Sequence, residues 1–284
     1  MSFIRTIMRG IGQVMFQNNS LSGLLFLIGI FINSWVLGLA ALFGTFISTS
    51  TALIIKAPKE AIQNGVYGFN GTLTGIAVFL FFEASVYSLF ALIIAAAMST
   101  LLMHGLQKII PPYTAPFNLV TWSVIMVFLF MFNLPLSNFT IHSDAALNLL
   151  TASTHSFGQV MFQEHTITGI FFLIGILINN RLMAVYALYA ALLGSVTGAL
   201  FLENSTINAG MMGYNAILCA IALTGKQWQD VVWISIAILL STALQIGLAS
   251  TGMITLTAPF VVVTWIIIKL KSAKPLNLIN LTNT

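Results

Sequence analysis

Long apolar runs separated by brief polar breaks fill this chain, and the runs are continuous rather than alternating residue by residue. They lie near 20–37, 38–55, 68–82, 84–104 and 115–133, and again near 165–180, 182–201, 213–224, 230–249 and 257–270. Most approach the roughly 20 residues that an α-helix needs to cross about 30 Å of hydrocarbon. Two further apolar pieces, 10–17 and 156–163, are too short to cross. Membrane strands would instead give short segments of alternating polarity. The pattern predicts an all-α polytopic membrane protein with ten transmembrane helices and two short ones.

The two sets of runs are copies. GQVMFQNNSLSGLLFLIGIFIN (12–33) returns as GQVMFQEHTITGIFFLIGILIN (158–179), identical at 14 of 22 positions. GFNGTL (68–73) returns as GYNAIL (213–218), and TAPFNLVTW (114–122) as TAPFVVVTW (257–265). Three blocks in one order at nearly one offset mean an internal duplication, with a first repeat over 1–140 and a second over 141–284. Each copy holds a short helix and five spans. Five is odd, so the copies must have inverted topology, related by an axis in the membrane plane.

Composition agrees with a lipid solvent. Of 284 residues, 58% are hydrophobic and 6% charged, against about 25% charged in a soluble domain. The net charge of +4 comes from scattered cations that form no nucleic-acid patch. It fits the rule that Lys and Arg collect on the cytoplasmic side. With the N-terminus in the cytoplasm, all ten cations fall on that side: Arg5, Arg9, Lys56, Lys59, Lys108, Arg181, Lys226, Lys269, Lys271 and Lys274. The opposite side receives Glu83, Asp144, Glu203 and the cation-free 134–155 connection. Both termini are then cytoplasmic. No small-residue cleavage site follows the Arg-bearing start, so no removable signal peptide is expected. The single cysteine, Cys219, reads as a small buried apolar residue.

Catalytic chemistry is not legible. No His, Cys or carboxylate pair has metal-ligand spacing, and neither a Ser-His-Asp set nor a nucleotide loop occurs. Ion-coupled carriers place ionisable groups inside the bundle; Glu164 and His165 are the nearest such residues, while His104, His142 and His155 sit near predicted ends. Uncharged polar groups recur at matched places instead. Gln13 and Gln159 each stand three residues before a phenylalanine, Phe16 or Phe162, which on a helix puts amide and ring on one face. Phe69-Asn70 and Tyr214-Asn215 make a second aromatic and amide pair. Thr114 and Thr257 precede Pro116 and Pro259 by two residues, so each TAPF predicts a helix start inside or near the membrane. Freed backbone there requires a water-lined cavity rather than lipid. These elements recur together, and in an inverted pair they converge on the midplane.

The GQVMFQ block with its following SG, the GFNG block and the TAPF block ending in TW resemble, as an ordered set present twice, the urea transporter (urea channel) family of bacterial type. The resemblance covers residues 10–268. It implies ten spans plus two short pore helices, a pore in each protomer, a homotrimer in the bacterial cytoplasmic (inner) membrane, and no cofactor. Carried over motif by motif, it implies a slot lined by Phe16, Phe69, Leu73, Phe162, Tyr214 and Leu218. Gln13 and Gln159 would bind the solute's amide groups, with the pair Thr114 and Thr257 between two binding positions. Tyr214, where phenylalanine is common, adds a hydroxyl.

Urea suits such a site. It is flat and neutral, with four N–H donors and one carbonyl. Passive passage of urea is therefore the expected function. A transporter or channel for another small neutral amide, with or without ion coupling, is the alternative. No Asn-Pro-Ala triplet marks a water channel, and the four histidines do not occupy matched positions as an ammonium channel would require.

Overall fold

The computed structural model of the protein describes residues 2–137 and 146–273; His142, Asp144 and Lys274 lie outside them. Among the described residues every regular element is a helix. The first half runs α1 (Phe3–Gly12), a 3-10 turn (Gln13–Met15), α2 (Ser20–Asn33), α3 (Trp35–Ile54), α4 (Lys59–Gln63), α5 (Phe69–Phe81), α6 (Val86–Leu106) and α7 (Ala115–Phe130). The second runs α8 (Leu149–Gln159), α9 (Thr166–Asn179), α10 (Arg181–Gly198), α11 (Asn204–Asn208), α12 (Tyr214–Ala222), α13 (Trp228–Ser250) and α14 (Ala258–Ala273).

Single polar residues set the breaks. Ser34 and Asn180 are extended, with φ −153° and −150°. Their side chains accept the first free amides of the next helix: Leu37 N at 3.3 Å for Ser34, and Leu182 N and Met183 N at 3.1 Å for Asn180. This is the usual satisfaction of orphan N–H groups at a helix start. The five-residue helices α4 and α11 were not expected from the apolar pattern, because they lie in the polar breaks.

Among the described residues four helices, α3, α6, α10 and α13, are long and apolar enough to cross a membrane. A fifth candidate is the pair of α1 with its 3-10 turn and α2, bent by 75°. The chain is a polytopic membrane protein. Other apolar helices fall short of the expected length. α5 has 13 residues and α9 has 14, about 20 Å at 1.5 Å per residue.

The centre is α2 packed on α9, one from each half. Ser22 Oγ donates to Gly175 O at 2.6 Å, and Thr168 Oγ1 donates to Gly29 O at 2.7 Å. The bonds are reciprocal, since Ser22 and Thr168 match in the duplication, as do Gly29 and Gly175. Rings of Phe26 and Phe172 meet between them at 5.1 Å. Away from water such interhelical bonds contribute about 0.6–2 kcal/mol each. α1 seats on α2 at Gly23, where a Cβ would stand 1.7 Å from Met8 O. α8 seats on α9 at Gly169, where a Cβ would stand 1.8 Å from Thr154 O. Only glycine permits that approach, which explains the small-residue pair after each GQVMFQ block. The outer surface is apolar: α6 exposes Phe90, Ile94 and Met98 while Ala91, Ala95, Ala96 and Ser99 face inward.

Candidate functional site

Each TAPF block opens a helix, as the proline placement predicts. α7 and α14 start at Ala115 and Ala258, directly after Thr114 and Thr257. The residues before the threonines, Tyr113 and Leu256, are left-handed with φ 48° and 47°. An asparagine from the facing helix bridges each break. Asn70 donates Nδ2 to Tyr113 O (3.3 Å) and accepts Phe117 N on Oδ1 (3.2 Å). Asn215 donates to Leu256 O (3.2 Å) and accepts Phe260 N (3.1 Å). Both asparagines are buried. Each clamps a helix start by holding the carbonyl before it and an amide after it.

The two helix starts meet. Thr114 Oγ1 and Thr257 Oγ1 lie 2.6 Å apart, both buried, from positions 143 residues apart. Two tryptophans tie the blocks reciprocally: Trp122 Nε1 donates to Ile254 O at 2.8 Å, and Trp265 Nε1 donates to Pro111 O at 2.7 Å.

The GQVMFQ segments form turns rather than continuous helix. Phe16 and Phe162 are left-handed, with φ 59° and 61°. A non-glycine residue in that region is uncommon and strained. Gln13 and Phe16 therefore do not share an α-helical face; the chain tightens into a 3-10 turn and reverses at the ring. A buried glutamine holds each turn. Gln17 Nε2 donates to Met15 O (2.5 Å) and its Oε1 accepts Asn179 Nδ2 (2.9 Å). Gln163 does the same with Met161 O (2.6 Å) and Asn33 Nδ2 (2.8 Å). Each turn is locked by the far end of the central helix from the other half, which offsets the strain at the phenylalanine.

With the turns held, the candidate glutamines are oriented. Gln13 Nε2 donates to Asn64 O at 2.8 Å, and Gln159 Nε2 donates to Ala209 O at 3.0 Å. Both side chains are half-buried. With the amide nitrogen spent on backbone, the remaining polar atom of each side chain is Oε1, an acceptor.

The aromatic residues form two groups. Phe16 lies 6.0 Å from Tyr113 and 6.1 Å from Phe260. Phe162 lies 6.0 Å from both Phe117 and Phe81. Phe69 opens α5 half-buried, while its counterpart Tyr214 is buried. Tyr214 donates its hydroxyl to Leu256 O at 2.8 Å and sits 3.1 Å from Thr255 Oγ1. Gln159, Phe162 and Tyr214 line one cavity of about 640 Å³ together with Gln245, Thr255 and Leu256. Leu73 and Leu218, one turn into α5 and α12, are fully buried and pack the core. A more open hollow of about 770 Å³ between α1, α3 and α6 is lined by apolar groups such as Phe3, Trp35 and Phe46; it offers a hydrated solute nothing polar.

Sequence reasoning missed Gln17, Gln163, Asn33 and Asn179. The signal was present: all four are identical between the two copies. Tyr113 and Asn118 were also missed, and they carry no such signal because the copies differ there. Glu164 is exposed, and His165 caps α9 through Nδ1, 3.4 Å from Thr168 N. Among the described residues no cluster of three His, Cys, Asp or Glu could hold a metal. Cys219 is fully buried, as expected.

Similarity to known proteins joins this geometry. A family model described as Urea transporter matches residues 4–272. Urea transporter 1 of Rattus norvegicus is 31% identical over 268 residues, covering 86% of this chain and 68% of that protein. Urea transporter 1 of Ovis aries is 29% identical over 304 residues, covering 97% of this chain and 79% of that protein. A match over nearly the whole chain places its motifs in one lineage: the chain belongs to the urea transporter family, and it is a transporter rather than an enzyme.

Proposed function

We propose that the chain passes urea passively through a pore between its two halves, with the threonine pair at the centre and the aromatic groups on either side. The observation that carries this reading is the 2.6 Å contact of Thr114 with Thr257. It joins two helix starts that lipid alone would leave costly. Gln13 and Gln159 would accept urea N–H groups at the two approaches. Phe16 and Phe69 would form one plate-lined slot, and Phe162 and Tyr214 the other, with Leu73 and Leu218 behind them. An unpaired polar group in a dry site costs about 1–3 kcal/mol, so the carbonyl and amide oxygens must replace urea's water. A cation would need far more compensation, and the candidate residues carry no charge.

In this reading α2, α3, α5, α6 and α7 cross the membrane in one direction order, and α9, α10, α12, α13 and α14 in the inverse, with α1 and α8 as pore helices. Helices shorter than the hydrocarbon are tolerated because their ends abut protein and vestibule. Reciprocal hydrogen bonds between matched residues support two inverted repeats. The placement of cations supports cytoplasmic termini, and a homotrimer in the bacterial inner membrane is carried over from the family resemblance alone.

Stopped-flow urea flux into proteoliposomes tests the function. Flux should exceed that of empty liposomes and be independent of proton and sodium gradients. Uphill accumulation driven by an imposed pH gradient would sink the passive reading and favour a coupled carrier.

A further inference from the structure

The duplication makes the central threonines equivalent, yet their surroundings differ. Asn118, one turn into α7, has Val261 as its counterpart in α14. Asn118 is buried, and its Oδ1 lies 3.1 Å from Thr257 N and 2.9 Å from Thr257 Oγ1. Among the described residues Val261, at the matched place, offers Thr114 no such acceptor.

Hydrogen-bond chemistry then determines every proton direction. A backbone N–H can only donate, so the Asn118 atom facing Thr257 N is the carbonyl oxygen, not the amide nitrogen. That oxygen can only accept, so the Thr257 hydroxyl gives its single hydrogen to Asn118. Thr257 has none left for Thr114, 2.6 Å away. The Thr114 hydroxyl must therefore donate to Thr257. Both hydroxyl hydrogens are consumed in the chain Thr114 to Thr257 to Asn118. What remains are lone pairs: two on Thr114 Oγ1 and one on Thr257 Oγ1. Without Asn118 the pair would be degenerate, and either hydroxyl could turn outward as a donor.

We propose that Asn118 is a positioning residue that polarises the threonine pair, so that the pair offers solutes only hydrogen-bond acceptors and selects those rich in N–H donors. The proposal rests on the reading that this pair lies on the urea pathway. It commits the centre to a chemical class: amides, ureas and other N–H-bearing neutral solutes pass, while flat solutes of similar size bearing only a carbonyl are disfavoured. It also predicts that two residues equivalent by duplication behave unequally.

The test uses urea flux in proteoliposomes and its inhibition by acetamide, with two N–H donors, or acetone, with none and a similar shape. In the unaltered protein acetone should inhibit at least about tenfold less well than acetamide, the upper value of one neutral hydrogen bond. Asn118→Val, which installs the residue of the other half, should shrink that gap to about threefold or less. Thr257→Val should shrink it as well, because it frees the Thr114 hydrogen. Thr114→Val should keep the gap, since Thr257 stays tied to Asn118. Asn118→Asp, whose carboxylate also accepts, should restore it. If Asn118→Val does not fold, the contrast between the two threonine variants decides. A gap unchanged in Asn118→Val and Thr257→Val, or shrunk equally in both threonine variants, overturns the proposal while altered urea flux leaves the pore reading standing. Flux and inhibition identical to the unaltered protein in all four variants would instead remove the threonine pair from the pathway, and both readings with it.

Discussion

Tyr214→Phe is the most informative single change in the second half. Leu256 O accepts two hydrogen bonds, from Asn215 Nδ2 at 3.2 Å and from the Tyr214 hydroxyl at 2.8 Å. A carbonyl oxygen has two lone pairs, so it has nothing left for a solute. Its counterpart Tyr113 O accepts Asn70 Nδ2 at 3.3 Å, and Phe69, in the place of Tyr214, has no hydroxyl to add. One half therefore retains an open acceptor that the other has closed. Removing the hydroxyl has two limiting outcomes. If solute and water reach Leu256 O, the site gains one acceptor, about 0.5–1.5 kcal/mol or roughly three- to tenfold in affinity. If they do not, the carbonyl and Thr255 Oγ1 lose a partner in a dry environment, at about 1–3 kcal/mol of stability. Tyr214, Thr255 and Leu256 all line the 640 Å³ cavity, which favours the first outcome. Equilibrium binding of radiolabelled urea to purified protein, with thermal melting alongside, separates them. The expected result is three- to tenfold tighter binding with little change in melting. Unchanged or weaker binding with an unchanged melting temperature would refute the carbonyl argument.

Gln13→Leu and Gln159→Leu should each weaken urea binding by about three- to tenfold and by similar amounts, because each glutamine is tethered the same way and presents the same oxygen; wild-type affinity in both variants would reduce them to packing residues. Gly23→Ala and Gly169→Ala should each destabilise by about 3 kcal/mol or more, at the upper end of overpacking costs, since the new methyl meets a backbone carbonyl, Met8 O or Thr154 O, that cannot rotate away. A melting temperature within about 2 °C of wild type in detergent, against the roughly 6 °C or more that such a cost implies at about 2–4 °C per kcal/mol, would show that α1 and α8 can shift off the central helices.

Much of the architecture was legible because lipid imposes it. An apolar run long enough to bury its own backbone polar groups must be helical, so α3, α6, α10 and α13 appear within a few residues of their predicted limits. The TAPF helix starts were also legible, since proline leaves little choice. The GQVMFQ turns were not. Periodicity assigns Gln13 and Phe16 to one helical face, whereas the strain at Phe16 is sustained by Gln17 and by Asn179, a residue 163 positions from Phe16. No local pattern reports a conformation that a remote partner stabilises. The role of the asparagines in the GFN and GYN blocks was not legible for a related reason: a polar side chain beside an aromatic residue looks the same whether it serves a solute or a helix break.

By itself the sequence determined the solvent this protein lives in, the duplication, the family and the uncharged character of the residues that repeat. These follow from composition, from identity at matched positions and from the hydrogen-bonding obligations of backbone in hydrocarbon, none of which needs coordinates. Only the tertiary structure decided which matched residues meet. Thr114 and Thr257 touch because the starts of α7 and α14 meet, and Asn118 breaks their equivalence because its oxygen faces Thr257 N. Direction in a hydrogen bond depends on which atom lies within about 3 Å of which, and that is a property of packing, not of order along the chain.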